Sequence, residues 1–327
     1  MNRLANILPK LNSISVLKNK ITLTRVAVAS YSSNEYKPIF HGVEDTKSFR
    51  IYYEKNNKPI SPFHDIPLFS DKEKNVLNMI VEIPRFTHAK MEINKKEFLN
   101  PISQDSKKEK LRYINNVYPY YGYIWNYGAL PQTYDDPNHI DETTGCIGDN
   151  DPLDVIEIGT EKQKRGSVIQ VKVLGALGLI DEGEADWKIV AINTNDPLAE
   201  ELADINDVET KVPGLLDSTR DWFKLYKIPT GKPANNFALN GKFFNKNFSY
   251  NVIRKSYDAW KSLSEQKENK KNISMVNTSL NNFATVSVEN AQTILNNRFN
   301  ELKNSIYKSE KNPEELEKVY YIDRSKY

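Results

Sequence analysis

The stretch Val168-Ile-Gln-Val-Lys-Val-Leu-Gly-Ala-Leu-Gly-Leu-Ile180 is followed by Asp181-Glu-Gly-Glu-Ala-Asp186 and then by Trp187-Lys-Ile-Val-Ala-Ile192. Two apolar runs rich in β-branched residues flank an acidic connection with a central glycine. That pattern predicts two strands of a hairpin. The hairpin brings Asp181, ending one strand, near Asp186, beginning the next. Lys188 lies two residues beyond Asp186 and shares its face, because side chains alternate along a strand. An acidic hairpin tip kept polar for solubility has the same composition, so the other charged groups decide what this one means.

Upstream lies Gly148-Asp149-Asn-Asp151-Pro-Leu-Asp154, leading into the strand-like Val155-Ile-Glu-Ile158. Three carboxylates and a rigid proline within six residues suit hard divalent cations such as Mg²⁺ or Mn²⁺, which favour oxygen ligands. The spacing excludes an EF-hand. With Asp149 at the first loop position, the sixth should be Gly and the twelfth Glu, and the chain has Asp154 and Thr160. An aspartyl nucleophile of a phosphotransferase calls for an apolar strand before the motif, and Gly145-Cys-Ile-Gly148 reads as a loop.

Two more groups complete the polar set. One runs from Asn78-Met-Ile-Val-Glu82-Ile-Pro-Arg85 to Ala89-Lys90-Met-Glu92-Ile, with Lys90 and Glu92 at strand spacing on one face. The other is basic and phenolic: Lys110-Leu-Arg112, Tyr120-Tyr-Gly-Tyr123-Ile-Trp-Asn-Tyr127-Gly, and Tyr226-Lys227. Glycines interrupt the aromatic stretch, which argues against a regular core helix. Arg, Lys and Tyr donors beside cation-binding carboxylates have the chemistry to clamp a phosphate-rich anion.

With these residues in hand, the chain resembles the soluble inorganic pyrophosphatases of the large metal-dependent family, eukaryotic branch, in a mitochondrial form. The matching pieces are Phe63-His-Asp-Ile-Pro-Leu68, Val81-Glu-Ile-Pro-Arg85, Asn126-Tyr-Gly128, the Asp149–Asp154 motif, Asp181–Lys188 and Tyr226-Lys227, in order from about residue 45 to 262. The resemblance implies an OB-like, mostly antiparallel β-barrel with external helices, an α+β or mainly β fold. It implies hydrolysis of diphosphate by a water activated by several Mg²⁺ ions, with Mn²⁺ as a substitute. In that scheme Asp149, Asp154 and Asp186 hold the cations that share the water. Asp181 and Glu92 complete further metal positions, Glu92 partly through water. Asp151 is the general base. Arg112, Lys90, Tyr226 and Lys227 bind phosphate oxygens, Lys188 neutralises charge, and Tyr123 and Tyr127 donate hydrogen bonds near the base or the leaving phosphate. Glu82 is expected to orient Lys90 or metal-bound waters. A homodimer is implied too. Phe86 stands where many relatives carry Trp, at a position associated with dimer contact.

Periodicity alone predicts strands over Leu77–Ile83, Val155–Ile158, Val168–Val173 and Trp187–Ile192. It predicts helices from about Pro213 through Phe223 and over Phe248–Leu263. Central strands followed by helices point to α+β or a barrel, not a doubly wound sheet. The formal net charge is +2, from 45 basic and 43 acidic residues, so no global field favours nucleic acid. The four histidines show no zinc-motif spacing, and the single Cys146 excludes an intrachain disulfide and fits a reducing compartment. Two other classes stay in view. The chain could serve as a pyrophosphatase-like interaction subunit of a larger assembly, which the complete acid and base set disfavours as a pure scaffold. It could be a nucleic-acid-binding OB module, which the carboxylate-rich face disfavours.

The ends differ in composition. Residues 1–34 lack Asp and Glu and carry Arg3, Lys10, Lys18, Lys20 and Arg25 among Ser and Thr. Residues 1–33 are therefore expected to be a mitochondrial transit peptide, cut near Ser30–Ser33, with the matrix as destination and a cytoplasmic location as the alternative. No run is long and apolar enough for membrane insertion. Residues 34–265 form the expected catalytic domain. Residues 266–327 are expected to be a polar linker and extension: mobile over about 264–285, a thinly apolar helix over 287–307, and a returning strand at Val319–Ile322, with the residues beyond about 270 adding little to the chemistry.

Overall fold

The structure is a computed structural model that describes residues 35–266, 272–304, 309 and 313–327. The expected transit peptide lies outside the described residues. In chain order the strands used below are Tyr36–His41 (β1), Arg50–Lys55 (β2), Val76–Ile83 (β3), Met91–Ile93 (β4), Ile102–Gln104 (β5), Asn116–Val117 (β6), Asn126–Ala129 (β7), Asp154–Glu157 (β8), Val168–Asp181 (β9), Glu184–Asn193 (β10) and Val319–Tyr320 (β11). The helices are Ile205–Lys211 (α1), Leu215–Leu225 (α2), Lys246–Glu265 (α3), Val288–Asn304 (α4) and Pro313–Glu317 (α5).

One long buried strand, β3, organises the rest. From Leu77 to Ile83 no side chain of β3 faces water. Leu77, Met79 and Val81 pack into one apolar cluster, and Ile80 and Ile83 into the other. From Leu77 to Val81 this is the period-two alternation of a strand covered on both faces, and the register shift against β7 between Val81 and Ile83 puts Ile83 in the cluster of Ile80. Val252 and Ile253 of α3 close the first cluster. Leu216, Trp222 and Phe223 of α2 and Ile205 and Val208 of α1 close the second.

Pairings spread from β3 in both directions. β3 pairs antiparallel with β7 and β9, β9 with β10 in the expected hairpin, and β7 with β8, while β8 runs parallel to β10. The result is a mixed sheet, mainly antiparallel, whose pairing path returns to its starting strand. The four expected strands are all present. β9 spans the whole run from Val168 to Asp181: its first residues pair with β3, and from Val171 onward it pairs with β10 across a register shift between Val173 and Gly175. Its turn carries Glu182 and Gly183 at φ 51° and 94°, the left-handed pair that matches strand twist in a two-residue hairpin. A smaller sheet of order β1-β2-β5-β4 lies alongside.

Two expectations are corrected. Pro213 does not open α2. Gly214 at φ 85° is its N-cap, so the helix starts at Leu215 and runs on to Leu225. The second concerns the segment after α3. Residues 267–271 lie outside the described part, but from 272 the chain is packed rather than mobile. Ile273, Met275 and Asn277 are buried, and Ser274 N–H donates to the Lys95 carbonyl at 2.6 Å. Asp65 accepts from the backbone N–H of Thr278 and Ser279. The Asn and Ser that look like linker composition are spent on these local bonds. The α4 helix, expected from its thin apolar stripe, seats Ala291 and Leu295 against Tyr52 and Leu99. Leu295 is 3% exposed. Leu295→Ala should therefore lower stability by about 2–4 kcal/mol, as read by urea unfolding. A change below about 0.5 kcal/mol, the usual size at the surface, would show that this helix is not part of the core.

Candidate active site

Strand register builds the acidic wall. Across β7, β8 and β10, Ala129 lies opposite Asp154, and Asp154 opposite Lys188. The Lys188 ammonium, 2% exposed, pairs with both Asp154 and Asp186 and donates to the Tyr127 hydroxyl at 3.0 Å. Tyr127 O–H in turn donates to Asp154. The loop before β8 is tied at several points. Asp151 N–H donates to the Asp149 carboxylate at 2.9 Å, Asn150 N–H to the Asp135 carbonyl at 2.9 Å, and Leu153 N–H to Thr133 Oγ1 at 2.9 Å. Asn150 itself sits at φ 67°, and the Tyr134 hydroxyl donates to its side-chain oxygen at 2.7 Å.

The opposite wall is cationic and phenolic. Lys90 pairs with Glu92 at 2.8 Å and with Asp105 at 3.6 Å, and Arg112 with Asp105. Lys227 pairs with Asp181. Trp222 stacks on Tyr226, centroids 4.8 Å apart, and lies 5.1 Å from the Tyr123 ring. Glu82 is buried and accepts from Ile93 N–H at 2.7 Å, so its action falls on β4, which carries Glu92 and directly follows Lys90. Every residue expected at the site lines one cavity of about 180 Å³: the acids Asp149, Asp151, Asp154, Asp181, Asp186, Glu82 and Glu92 together with Lys90, Arg112, Tyr123, Tyr127, Lys188, Tyr226 and Lys227.

Burial and crowding set the charge states. Burial first, then repulsion from Asp186 and Asp151, holds Asp149 well above the usual carboxylate range. Asp186 is raised to about 7 by burial, Lys188 pulling it back and Asp154 pushing it up. Glu82 is raised by burial and then by Asp154. Tyr123, Tyr127 and Tyr226 are pushed up chiefly by burial, so they stay protonated donors at neutral pH.

As the side chains stand, no three acidic, imidazole or thiol groups among the described residues converge closely enough to hold a metal ion. Several are turned to ammonium groups instead: Asp154 and Asp186 to Lys188, Asp181 to Lys227, and Asp151 to Lys95. The donor set still fits divalent cations. It offers oxygen ligands only, and Asp149 and Asp186 hold on to protons because they are buried and then because neighbouring carboxylates repel their charge.

Some contributors are absent from the sequence reading. Lys95 pairs with Asp151 and donates to the Asn150 carbonyl at 2.5 Å. Within Asn94-Lys95-Lys96 it has the look of an ordinary surface lysine, and no local signal marks it. Asp105 is likewise silent. Trp222 is different, because its i, i+4 spacing to Tyr226 was available as a signal.

A carboxylate wall of oxygen ligands facing buried cations and phenols suits a hydrolase for phosphate anhydrides. Residues 79–261 match the family model described as inorganic pyrophosphatase. The inorganic pyrophosphatase of Kluyveromyces lactis is 53% identical over 254 residues, covering 77% of this chain and 88% of the relative. That of Mus musculus is 52% identical over 255 residues, covering 77% and 86%. The solved inorganic pyrophosphatase of Schistosoma japonicum superposes with a TM-score of 0.81 at 47% identity, over 88% of this chain and all of that one. The chain belongs to the inorganic pyrophosphatase family.

The charge states give a pH test. Asp149 and Asp186 bind protons more tightly folded than unfolded, where a carboxyl titrates near about 4. Their contribution to stability is therefore complete below about pH 4 and is lost as pH rises through about 7, the value for Asp186. A divalent cation held by the same carboxylates would take the place of the lost protons. In chelator the melting temperature should fall between pH 5 and pH 8, and excess Mg²⁺ should flatten that slope. Parallel slopes with and without Mg²⁺ would contradict the arrangement.

Proposed function

We propose that this chain hydrolyses inorganic pyrophosphate to two phosphates with magnesium ions, manganese serving as a substitute. The observation that carries the reading is the pairing of two oppositely charged walls around one cavity, since a diphosphate carries too much negative charge to approach either wall's carboxylates unaided. Asp149, Asp154, Asp186, Asp181 and Glu92 would hold the cations. Bound there, they would neutralise substrate charge and lower the pKa of the attacking water.

The chain's own groups do the rest. Arg112, Lys90, Tyr226 and Lys227 take phosphate oxygens, Arg112 through a planar fork suited to them. Lys188 offsets the charge of Asp154 and Asp186. Asp151 accepts the water proton as the oxygen bonds to phosphorus and the bond to the bridging oxygen breaks. Its side chain is 47% exposed, and Lys95 holds it at the cavity mouth. Tyr123 and Tyr127, protonated, donate hydrogen bonds to the base side and the leaving phosphate. Glu82 keeps β4, which carries Glu92 and directly follows Lys90, in place.

Three finer assignments belong to the same proposal. The ring of pairings through β3, β9, β10, β8 and β7 supports an OB-like barrel. The exposed Phe86, 53% accessible and at φ 59°, supports a homodimer contact. The acid-free, basic composition of residues 1–33 supports import into the mitochondrial matrix. A reporter fused to residues 1–33 should enter mitochondria and be trimmed, and the mature chain should sediment as a dimer. A diffuse, untrimmed reporter or a monomer would remove the corresponding assignment.

Asp151→Asn keeps shape but cannot take a proton. Its rate should fall by about 10²–10⁴-fold at saturating Mg²⁺, with Mg²⁺ affinity less affected, whereas Asp154→Asn should weaken Mg²⁺ binding first. Phosphate release and calorimetric Mg²⁺ titration check both. Undiminished hydrolysis by the parent chain after thorough chelation would sink the metal-dependent reading, and near-normal turnover in Asp151→Asn would take the base role from that residue.

A further inference from the structure

The last described segment returns to the protein beside the phosphate-binding wall. β11 pairs parallel with β6, and Tyr118 N–H donates to the Tyr320 carbonyl at 3.0 Å. Asn116 is the hub of this junction. Its amide nitrogen donates to the Leu316 carbonyl at 2.6 Å, and its oxygen accepts from Gly122 N–H at 2.9 Å. Tyr121 O–H donates to Glu317 at 2.8 Å. Beyond β11, Arg324 places one arm of its guanidinium on two different parts of the fold. It donates to the Tyr118 carbonyl at 2.6 Å and to the Asp221 carboxylate at 2.9 Å, with Nε adding a second bond to Asp221 at 3.2 Å. The Tyr120 hydroxyl donates to the same Asp221 oxygen at 2.9 Å.

These contacts join two segments that each deliver substrate-binding groups. The loop 116–123 ends in Tyr123. The helix α2 bears Asp221 and Trp222 and leads directly into Tyr226 and Lys227. Trp222 already touches both, through its Nε1–H to the Gly122 carbonyl at 2.9 Å and its stack on Tyr226. Arg324 sits on the outer side of the same junction and spans it with a rigid fork of donors. The hydrogen bonds that residues 313–327 make to the rest of the fold fall on Asn116, Tyr118, Tyr121, Asp221 and Lys224, and none of these five belongs to the acidic wall.

We propose that the strap 313–327 is a positioning element of the pyrophosphate site, and that Arg324 is the residue through which it sets the spacing between Tyr123 and the Tyr226–Lys227 pair. The proposal rests on the diphosphatase reading above. It departs from the expectation that residues beyond about 270 add little to the chemistry. Because the strap's bonds fall on the loop that leads into Tyr123 and on the helix that leads into Tyr226 and Lys227, loosening it costs substrate binding first. Loss of that kind raises KM and leaves kcat in place.

The test uses the full chain with pyrophosphate and saturating Mg²⁺. Arg324→Gln should raise KM about threefold to tenfold with kcat within about twofold, the signature of lost uniform binding. Arg324→Lys, which keeps the charge but not the fork, should recover part of the KM. Tyr120→Phe removes one hydroxyl from the same Asp221 oxygen, should raise KM in the same sense, and serves if Arg324→Gln does not fold. Lys326→Ala, whose partner is the strap's own Asp323, should match the parent. An unchanged KM in Arg324→Gln and Tyr120→Phe, or a kcat that falls in step with melting temperature while KM stays, would overturn the proposal. A parent chain that releases no phosphate would instead overturn the functional reading on which it rests.

Discussion

A single ammonium group, that of Lys188, sits where three strands and both walls of the cavity meet. At 2% exposure it has almost no water to solvate it, so it depends on Asp154 and Asp186 for its charge and on the Tyr127 hydroxyl for a further bond. Breaking such a buried pair by removing one partner costs about 3–5 kcal/mol. The same contacts fix register. A one-residue slip of β10 against β8 would turn Lys188 away and present Ile189 to the cavity, because side chains alternate from face to face. The core is thereby locked by a charge network as well as by apolar packing. The acids expected to hold cations are held at their own spacing by the lysine that would share in neutralising substrate.

Around that centre the two walls are built by different means. The acidic wall comes from neighbouring strands and one tied loop, so its geometry follows from backbone pairing. Gly128 in β7 shows how close that pairing is. A Cβ there would lie 1.9 Å from the Ile80 carbonyl oxygen, so only glycine lets β7 and β3 approach as they do. The phosphate-binding wall is assembled from segments far apart in sequence, at 90–92, 105–112, 123–127 and 222–227, and is stitched by aromatic contacts through Trp222 and by Arg324 from the last turns of the chain.

Much of this was legible beforehand. The strands around Leu77–Ile83, Val168–Val173 and Trp187–Ile192 announced themselves by apolar runs with turn signals between them. The acids and bases that line the cavity stood in short motifs whose residue types made chemical sense together. Lys95 and Asp105 were not legible, since a lysine beside Asn94 and Lys96 and an aspartate before Ser106 look like solvated surface until folding puts them against Asp151 and Arg112. The start of α2 was misplaced because a proline at the first turn is a common helix opening, while Gly214 at φ 85° takes the capping position here.

Local features were readable from the residues alone: the hairpin of β9 and β10, the cation-suited spacing of Asp149, Asp151 and Asp154, and the shared face of Asp186 and Lys188. Each follows from side-chain alternation and turn chemistry over a few residues. Only the tertiary structure decided which ammonium group each carboxylate meets, that Asn- and Ser-rich residues 272–286 are packed against Asp65 and Lys95, and that Arg324 returns to bridge Tyr118 and Asp221. Those outcomes depend on contacts between residues more than a hundred positions apart in several cases, and composition carries no record of a partner that only folding brings within hydrogen-bond reach.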